Sequence, residues 1–143
     1  MRRQFLSAVA AAALTGFAGF AFAGGQQIAA EVSPDGRSVL VRTYRCGEPS
    51  SLALSGTAEG VVAGQRRSIP LKIGPATAAG VFAVERQWPS EGSWVLAFTV
   101  VGGTSTSGLV ELAPGPGLRI VSQESTHEKP SARRIEEVLR ASR

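Results

Sequence analysis

The chain has 143 residues, with 15 Lys and Arg against 11 Asp and Glu, and a single cysteine. One cysteine excludes an intramolecular disulfide, so a core must hold the fold together. The few basic pairs are not interleaved with aromatic residues, and this pattern argues against nucleic-acid binding.

The first 23 residues have the pattern of a secretory signal peptide. Arg2 and Arg3 precede an uncharged, Ala-rich run that ends in Ala21-Phe22-Ala23. Ala21 and Ala23 supply the small residues at positions −3 and −1 of a cleavage site, so cleavage is expected after Ala23. We therefore predict a periplasmic or secreted protein with no stable membrane insertion after cleavage, and one mature domain of about 120 residues.

The leader also holds a more specific motif. Arg2-Arg3-Gln4-Phe5-Leu6 resembles the twin-arginine export signal, in which two arginines precede a variable residue, Phe and Leu. The resemblance implies export of a folded chain. Met1 stands where that signal usually has a polar residue, and an ordinary basic leader for general secretion is the alternative.

The rest of the chain alternates between short apolar–polar segments and turn residues, which is typical of all-β proteins. Residues 93–101 form the most apolar segment, expected at the centre of a sheet. Pro70 cannot donate to a ladder, so its strand is expected at a sheet edge. Seven or eight strands at this spacing predict a sandwich of two antiparallel sheets. The predicted strands are 28–32, 37–45, 51–59, 66–73, 81–87, 93–101, 104–113 and 118–122.

The end of the chain differs from the strands before it. A polar stretch at 123–130 predicts a linker, and residues 131–143 predict a short amphipathic helix. Ile135, Val138 and Leu139 make an i, i+3, i+4 apolar stripe. A helix this short is not stable alone, so it is expected to dock on the sheet or fray. The predicted organisation is a signal peptide at 1–23, a sandwich domain at 24–122, the linker and the helix.

The segment from Trp88 to Val101 places a glycine turn before a Trp-bearing apolar strand, Gly92-Ser93-Trp94-Val95-Leu96. In this hairpin the chain resembles immunoglobulin-like domains of bacterial envelope proteins. These include periplasmic copper-handling and respiratory-assembly sandwiches of the YtkA-like type. The resemblance implies an immunoglobulin-like β-sandwich with a binding or accessory role.

Cys46 and His127 are the candidate metal or thiol residues. A metal site needs several such ligands close together, and these two meet only if the last strand or the linker lies beside the end of the second strand. The favoured interpretation makes Cys46 a buried or half-buried strand-end residue and His127 a solvated loop residue. The copper proteins that the hairpin resembles generally use sets of His and Met ligands, whereas the mature chain has one His and no Met. We predict no cofactor, with a copper-type metal or thiol function at Cys46 as the alternative.

The sequence does not indicate an enzyme. It has one histidine to act as a base and no Gly-x-Ser-x-Gly motif for a nucleophile. A small hydrolase with paired carboxylates is an alternative, although most of the glutamates fit outward strand positions or turns. The candidate carboxylates are Glu48, Glu59, Glu85, Glu91 and Glu111.

Three residues are candidates for contact with a partner. Arg66 and Arg67 either bind an anion or partner protein, or protect an edge strand against aggregation. Trp88, at a turn before Pro89, either anchors a partner or caps the open end of the sandwich. The sequence thus predicts a non-enzymatic exported binding or accessory protein. It would recognise another envelope protein or a small ligand through an edge strand or a loop surface.

Overall fold

The computed structural model describes residues 25–102 and 106–142. The predicted signal peptide, its cleavage site at Ala21 and Ala23, and the twin-arginine motif lie outside this range. The described residues form nine strands and one helix. The elements are β1 Gln26–Val32, β2 Ser38–Arg45, β3 Glu48–Pro49, β4 Ala53–Val62, β5 Gln65–Pro70, β6 Val81–Glu85, β7 Ser93–Val101, β8 Thr106–Leu112, β9 Ile120–Thr126 and α1 Ala132–Ala141.

The strands form two antiparallel sheets that share one hydrophobic core. In the four-stranded sheet, β2 pairs with β1 on one side and with β3 and β6 on the other. The five-stranded sheet has the order β5-β4-β7-β8-β9. The predicted all-β sandwich is therefore confirmed. Strand β7 is central, and β5 with Pro70 is an edge strand, as the sequence indicated.

The core depends on a match between large residues on β7 and small residues on β4. Gly60 pairs with Trp94, and Gly56 pairs with Phe98. A Cβ atom at Gly60 would lie 2.6 Å from Cδ2 of Trp94, and one at Gly56 would lie 2.8 Å from Cδ1 of Phe98. Both aromatic rings thus occupy space that any larger residue on β4 would need. The buried inward residues of β7 are Trp94, Leu96, Phe98 and Val100.

Two hairpins turn on a non-glycine residue with positive φ. Cys46 (φ 51°) and Gly47 (φ 81°) connect β2 to β3, and Ala63 (φ 49°) and Gly64 (φ 76°) connect β4 to β5. Positive φ at both central positions is typical of a type I′ turn, which the sequence usually signals by Asn-Gly or Asp-Gly. Neither dipeptide is present at these turns. The hairpin between β2 and β3 therefore has no sequence signal, and the two-residue strand β3 was not predicted. The structure has nine strands, where seven or eight were expected.

Strand β9 extends four residues into the predicted linker 123–130. The side chain of Gln123 accepts a hydrogen bond from the Ala30 N–H (2.7 Å) and donates one to the Ala30 carbonyl (3.0 Å). Ser125 Oγ accepts from the Ile28 N–H at 3.2 Å. These polar side chains bond the open edge of β1 as a neighbouring strand would. The segment is polar because it bonds backbone, and for that reason its hydropathy resembles that of a linker.

Gln87 joins the sheets at the opposite flank in the same way. Its Oε1 accepts from the Lys72 N–H at 2.7 Å, and its Nε2 donates to the Lys72 carbonyl at 2.9 Å. Lys72 follows β5 and Gln87 follows β6, so this amide connects edge strands of different sheets. A glutamine amide carries the same donor and acceptor as a peptide group. Each flank is thus joined by side-chain hydrogen bonds instead of a continuous ladder.

Helix α1, Ala132–Ala141, lies within the predicted 131–143 and docks on the outer face of the five-stranded sheet. Leu139 is fully buried in a cluster with Val95 and Leu109. The remaining apolar stripe residues, Ile135 and Val138, pack against the same cluster. Docking, and not intrinsic helix propensity, therefore stabilises this short helix. Within the described ranges, no helix is both long enough and apolar enough to cross a bilayer.

Candidate functional site

Cys46 and His127 both lie next to Gly25, at one end of the sandwich. The Cys46 N–H donates to the Gly25 carbonyl at 3.0 Å. A Cβ atom at Gly25 would lie 2.8 Å from Cε1 of His127. Both residues thus reach Gly25, because β9 lies beside β1 and β1 pairs with the end of β2. Cys46 is exposed at its turn, so the favoured interpretation of a buried thiol is corrected.

Among the described residues, Cys46 and His127 belong to no larger group of possible metal ligands. A structural zinc site takes four protein ligands and a catalytic one takes three. Across 25–102 and 106–142, no group of three or more His, Cys, Asp and Glu side chains converges on one point. The described residues therefore form no ligand group of the size that a zinc site needs.

Arg66 lies in a network that joins β5 to α1. Its guanidinium contacts Glu136 (Nε to Oε1, 2.6 Å) and Glu59 (Nη2 to Oε2, 3.0 Å). Its Nη1 also donates to the backbone carbonyls of Gly60 (3.3 Å) and Arg67 (2.9 Å). Arg66 is thus occupied within the fold, which corrects its interpretation as a free anion or partner site. Arg67 is exposed, and its side chain forms no ion pair with the described residues.

Trp88 belongs to the hydrophobic core. The residue is 4% exposed and packs in the main cluster between the sheets. Cζ of Arg86 lies 5.8 Å from the centroid of its ring, and Arg86 Nη1 donates to the Gly115 carbonyl at 3.2 Å. A ring buried in this way offers no surface to a partner. The structure thus corrects the interpretation of Trp88 as an anchor and favours an internal packing role.

A groove of about 710 Å³ lies between the edge strands β5 and β6. The N–H and C=O of Val81 bond to Ala78 and Thr77, away from β2. The bonding direction alternates along an antiparallel strand. Ala83 and Glu85 therefore also direct backbone groups away from β2, towards the groove that they line. The Glu85 carbonyl accepts from Gln87 Nε2 at 3.4 Å, so Ala83 carries the open backbone groups of this edge; we name the space the flank groove.

The flank groove carries more positive than negative charge. Lys72 and Arg86 line it together with Glu85. Arg67 adds an exposed guanidinium on β5, the strand that borders the groove. Pro70 also lines the groove and has no N–H to donate, so β5 is a poor template for pairing. Strand β6 is the side of the groove that can accept another strand.

A second cavity, of about 410 Å³, lies where β8 and β9 meet the N-terminus of α1. We name it the helix cleft. No local sequence pattern indicates this cleft, because its lining residues come from three separate elements. Leu109 is an apolar residue on the outward face of β8. Its presence there indicates that another element covers that face. The polar residues lining the cleft include Ser107, Glu124, Thr126, His127, Lys129 and Arg134.

Arg134 and Glu124 form the strongest ion pair at the helix cleft. Nε of Arg134 donates to Oε1 of Glu124 at 2.9 Å, and Nη2 donates to Oε2 at 2.7 Å. These hydrogen bonds, and then the positive charge of Arg134, lower the pKa of Glu124 from its ordinary value of 4.5. The bidentate geometry fixes the first turn of α1 to β9.

We expect Arg134→Gln to lower the free energy of unfolding at pH 7 by less than about 1 kcal/mol, since the pair is partly solvated. A carboxylate with a lowered pKa stabilises the fold above its unfolded pKa, and this contribution is lost as pH falls through the folded value. The difference between variant and wild type should therefore shrink below pH 4.5, the ordinary pKa of glutamate. Urea unfolding at several pH values measures it. Arg133→Gln, at an 88% exposed side chain, is the control; a difference that is independent of pH would contradict the assignment.

The candidate carboxylates do not form an open facing pair. Glu59, Val95 and Glu111 occupy one row across β4, β7 and β8. Helix α1 packs on Val95, between the two carboxylates. Ser68 Oγ donates to Glu59 at 2.8 Å, and Ser122 Oγ donates to Glu111 at 2.6 Å. The other candidates are exposed residues on separate elements: Glu48, Glu85 and Glu91.

Comparison of the chain with protein-family models, with curated proteins and with solved structures gave no match. The likeness of the Trp88–Val101 hairpin to envelope immunoglobulin-like domains stays a prediction. The basis for a function is thus the geometry of the flank groove and of the helix cleft.

Proposed function

We propose that the protein is an exported, non-enzymatic binding module that recognises an extended, acidic segment of another envelope protein at the flank groove. The observation that carries the proposal is the edge of β6, where Ala83 directs its N–H and C=O into the groove. An extended segment can add to such an edge as a further strand, with affinity from main-chain hydrogen bonds.

The charge of the groove supports an acidic segment. Lys72 and Arg86 line the groove, and Arg67 lies exposed on the bordering strand. Glu85 is the acidic residue that lines the groove, and it lies on β6 itself. It would favour a register of the bound segment that places an uncharged or basic residue beside it. Complementary charge of this kind speeds association and fixes register more than it raises affinity.

Export rests on the pattern of residues 1–23, with cleavage after Ala23. A single small domain that binds an extended segment fits an accessory role in the envelope. The alternatives have less support. Cys46 and His127 belong to no larger ligand group among the described residues, and Glu59 and Glu111 flank a docked helix instead of a substrate cleft.

Site-specific crosslinking tests the proposal in intact cells. A photoreactive phenylalanine analogue at Glu85, which lines the flank groove, should form an adduct with one envelope protein. The adduct should map to an extended, acidic segment of that protein. Ala83→Pro removes the N–H of the open edge and should abolish the adduct, since proline is tolerated where the N–H points away from the ladder. Lys72→Glu should weaken association about tenfold.

Two controls make the outcome decisive. The same photoreactive residue at Ala29, exposed on β1 at the opposite flank, should form no such adduct. Arg133→Glu reverses an exposed charge on α1, far from the groove, and should leave association unchanged. An adduct that persists in folded Ala83→Pro, or that maps to a basic segment, would overturn the proposal.

A further inference from the structure

We infer that the helix cleft is a second binding site, which holds the oxyanion group of a small carboxylated or phosphorylated ligand. This site lies on the outer face of the five-stranded sheet, away from the flank groove, and does not depend on the proposed function. Its volume of about 410 Å³ falls in the range of small-molecule sites.

The first observation is the side chain of Ser107, which lines the cleft. Ser107 is 1% exposed, and its Oγ has no hydrogen-bond partner among the described residues. It lies in register with Thr99 of β7 and Thr126 of β9, on the face that α1 covers. A buried hydroxyl without a partner is unfavourable. An oxygen acceptor in the cleft would satisfy it.

The second observation is the N-terminus of α1, whose capping residue Ser131 also lines the cleft. Ser131 Oγ accepts from the Arg134 N–H at 3.1 Å. The N–H groups of Ala132 and Arg133 precede it and have no acceptor within the helix. The first turn contains no acidic residue, although the helix dipole favours negative charge there. An anion in the cleft would complete this end of the helix.

The charges around the cleft indicate where an anion would bind. Glu124 is held by Arg134, so these two largely neutralise each other. Glu128 also lines the cleft and forms no ion pair with the described residues; its side chain is exposed, and its backbone carbonyl accepts from Thr126 Oγ1 at 2.8 Å. Lys129 lines the cleft and forms no ion pair with the described residues. Ser107 and Lys129 thus line this cavity, and the N-terminus of α1 borders it at the capping residue Ser131.

Amide NMR of the mature protein provides the test, with inorganic phosphate and acetate titrated separately against sodium chloride of equal ionic strength. The Ala132 and Arg133 amide signals should shift and saturate with at least one of the two anions. Saturation with phosphate alone identifies a phosphoryl ligand, and saturation with acetate alone identifies a carboxylate. Lys129→Gln should weaken the binding about tenfold, the loss of one charge-assisted hydrogen bond. Arg37→Gln, which removes an exposed charge from the turn between β1 and β2, should bind as wild type.

Ser107→Ala separates a binding role from a structural one. If the Ser107 hydroxyl donates only to a bound ligand, the variant should bind the anion more weakly. In the absence of the anion it should be at least as stable as wild type. A hydroxyl with only a structural role would lower stability when removed and leave binding unchanged. Shifts that do not saturate, that equal those in chloride, or that are unaltered in Lys129→Gln would overturn the inference.

Discussion

Replacing Gly60 by alanine should lower the free energy of unfolding by about 1–3 kcal/mol. In a strand this change is ordinarily favourable, because glycine loses more backbone entropy on folding. Here the new Cβ would lie 2.6 Å from Cδ2 of Trp94. The indole cannot move aside, since it is 3% exposed and its Nε1 donates to the Glu91 carbonyl at 2.8 Å. Overpacking against Trp94 therefore outweighs the gain in backbone entropy, and the substitution lowers the free energy of unfolding.

Chemical denaturation of the two proteins measures this effect, and Gly117→Ala is the matched control. A Cβ at Gly117 meets nothing within 4 Å, and its φ is not positive. The control should therefore be neutral or slightly stabilising. Equal stability of Gly60→Ala and Gly117→Ala would contradict the close contact between β4 and the ring of Trp94.

Replacing Leu139 by alanine should release α1 from the sheet. Leu139 is fully buried against Val95 and Leu109, and a Leu→Ala change in such a site costs about 2–5 kcal/mol. A helix of 10 residues has no stability of its own to offset that loss. The helical circular dichroism signal and the protection of α1 amides from exchange should both fall. The strands should keep their protection, because the main core between the sheets lacks Leu139.

Arg140→Ala is the control for this change, since Arg140 is the exposed neighbour of Leu139 on the same helix. It removes a long side chain without opening the buried cluster, and it should leave α1 docked. Unaltered protection of α1 in Leu139→Ala would show that the ion pairs of Arg66 and Arg134 suffice to hold the helix. Loss of protection throughout the molecule would show instead that α1 and the sandwich unfold as one unit.

Periodicity predicted the parts of the fold in which a side chain's direction determines its environment. The apolar alternation of 93–101 identified the central strand, Pro70 identified an edge, and the stripe of Ile135, Val138 and Leu139 identified α1 and the face that docks. Each of these patterns is contained in about ten consecutive residues, so it can be identified without knowledge of the rest of the chain.

The features that sequence analysis missed depend on contacts between distant residues. Gln123 is polar because it bonds Ala30, 93 positions away, and this contact made a strand resemble a linker. Trp88 resembles an exposed loop residue until the core that receives it is known. The helix cleft joins Ser107 of β8 to the cap of α1, and no local pattern links the two.

The glutamine contacts at the two flanks have a consequence for how this sequence can vary. A side chain that pairs with another side chain can change together with its partner. Gln123 and Gln87 bond to the backbone of residues 30 and 72, which every amino acid carries, although proline lacks the N–H. No second substitution could therefore compensate for the loss of either amide. Among relatives of this chain, both positions should be constant, with no position that covaries with them.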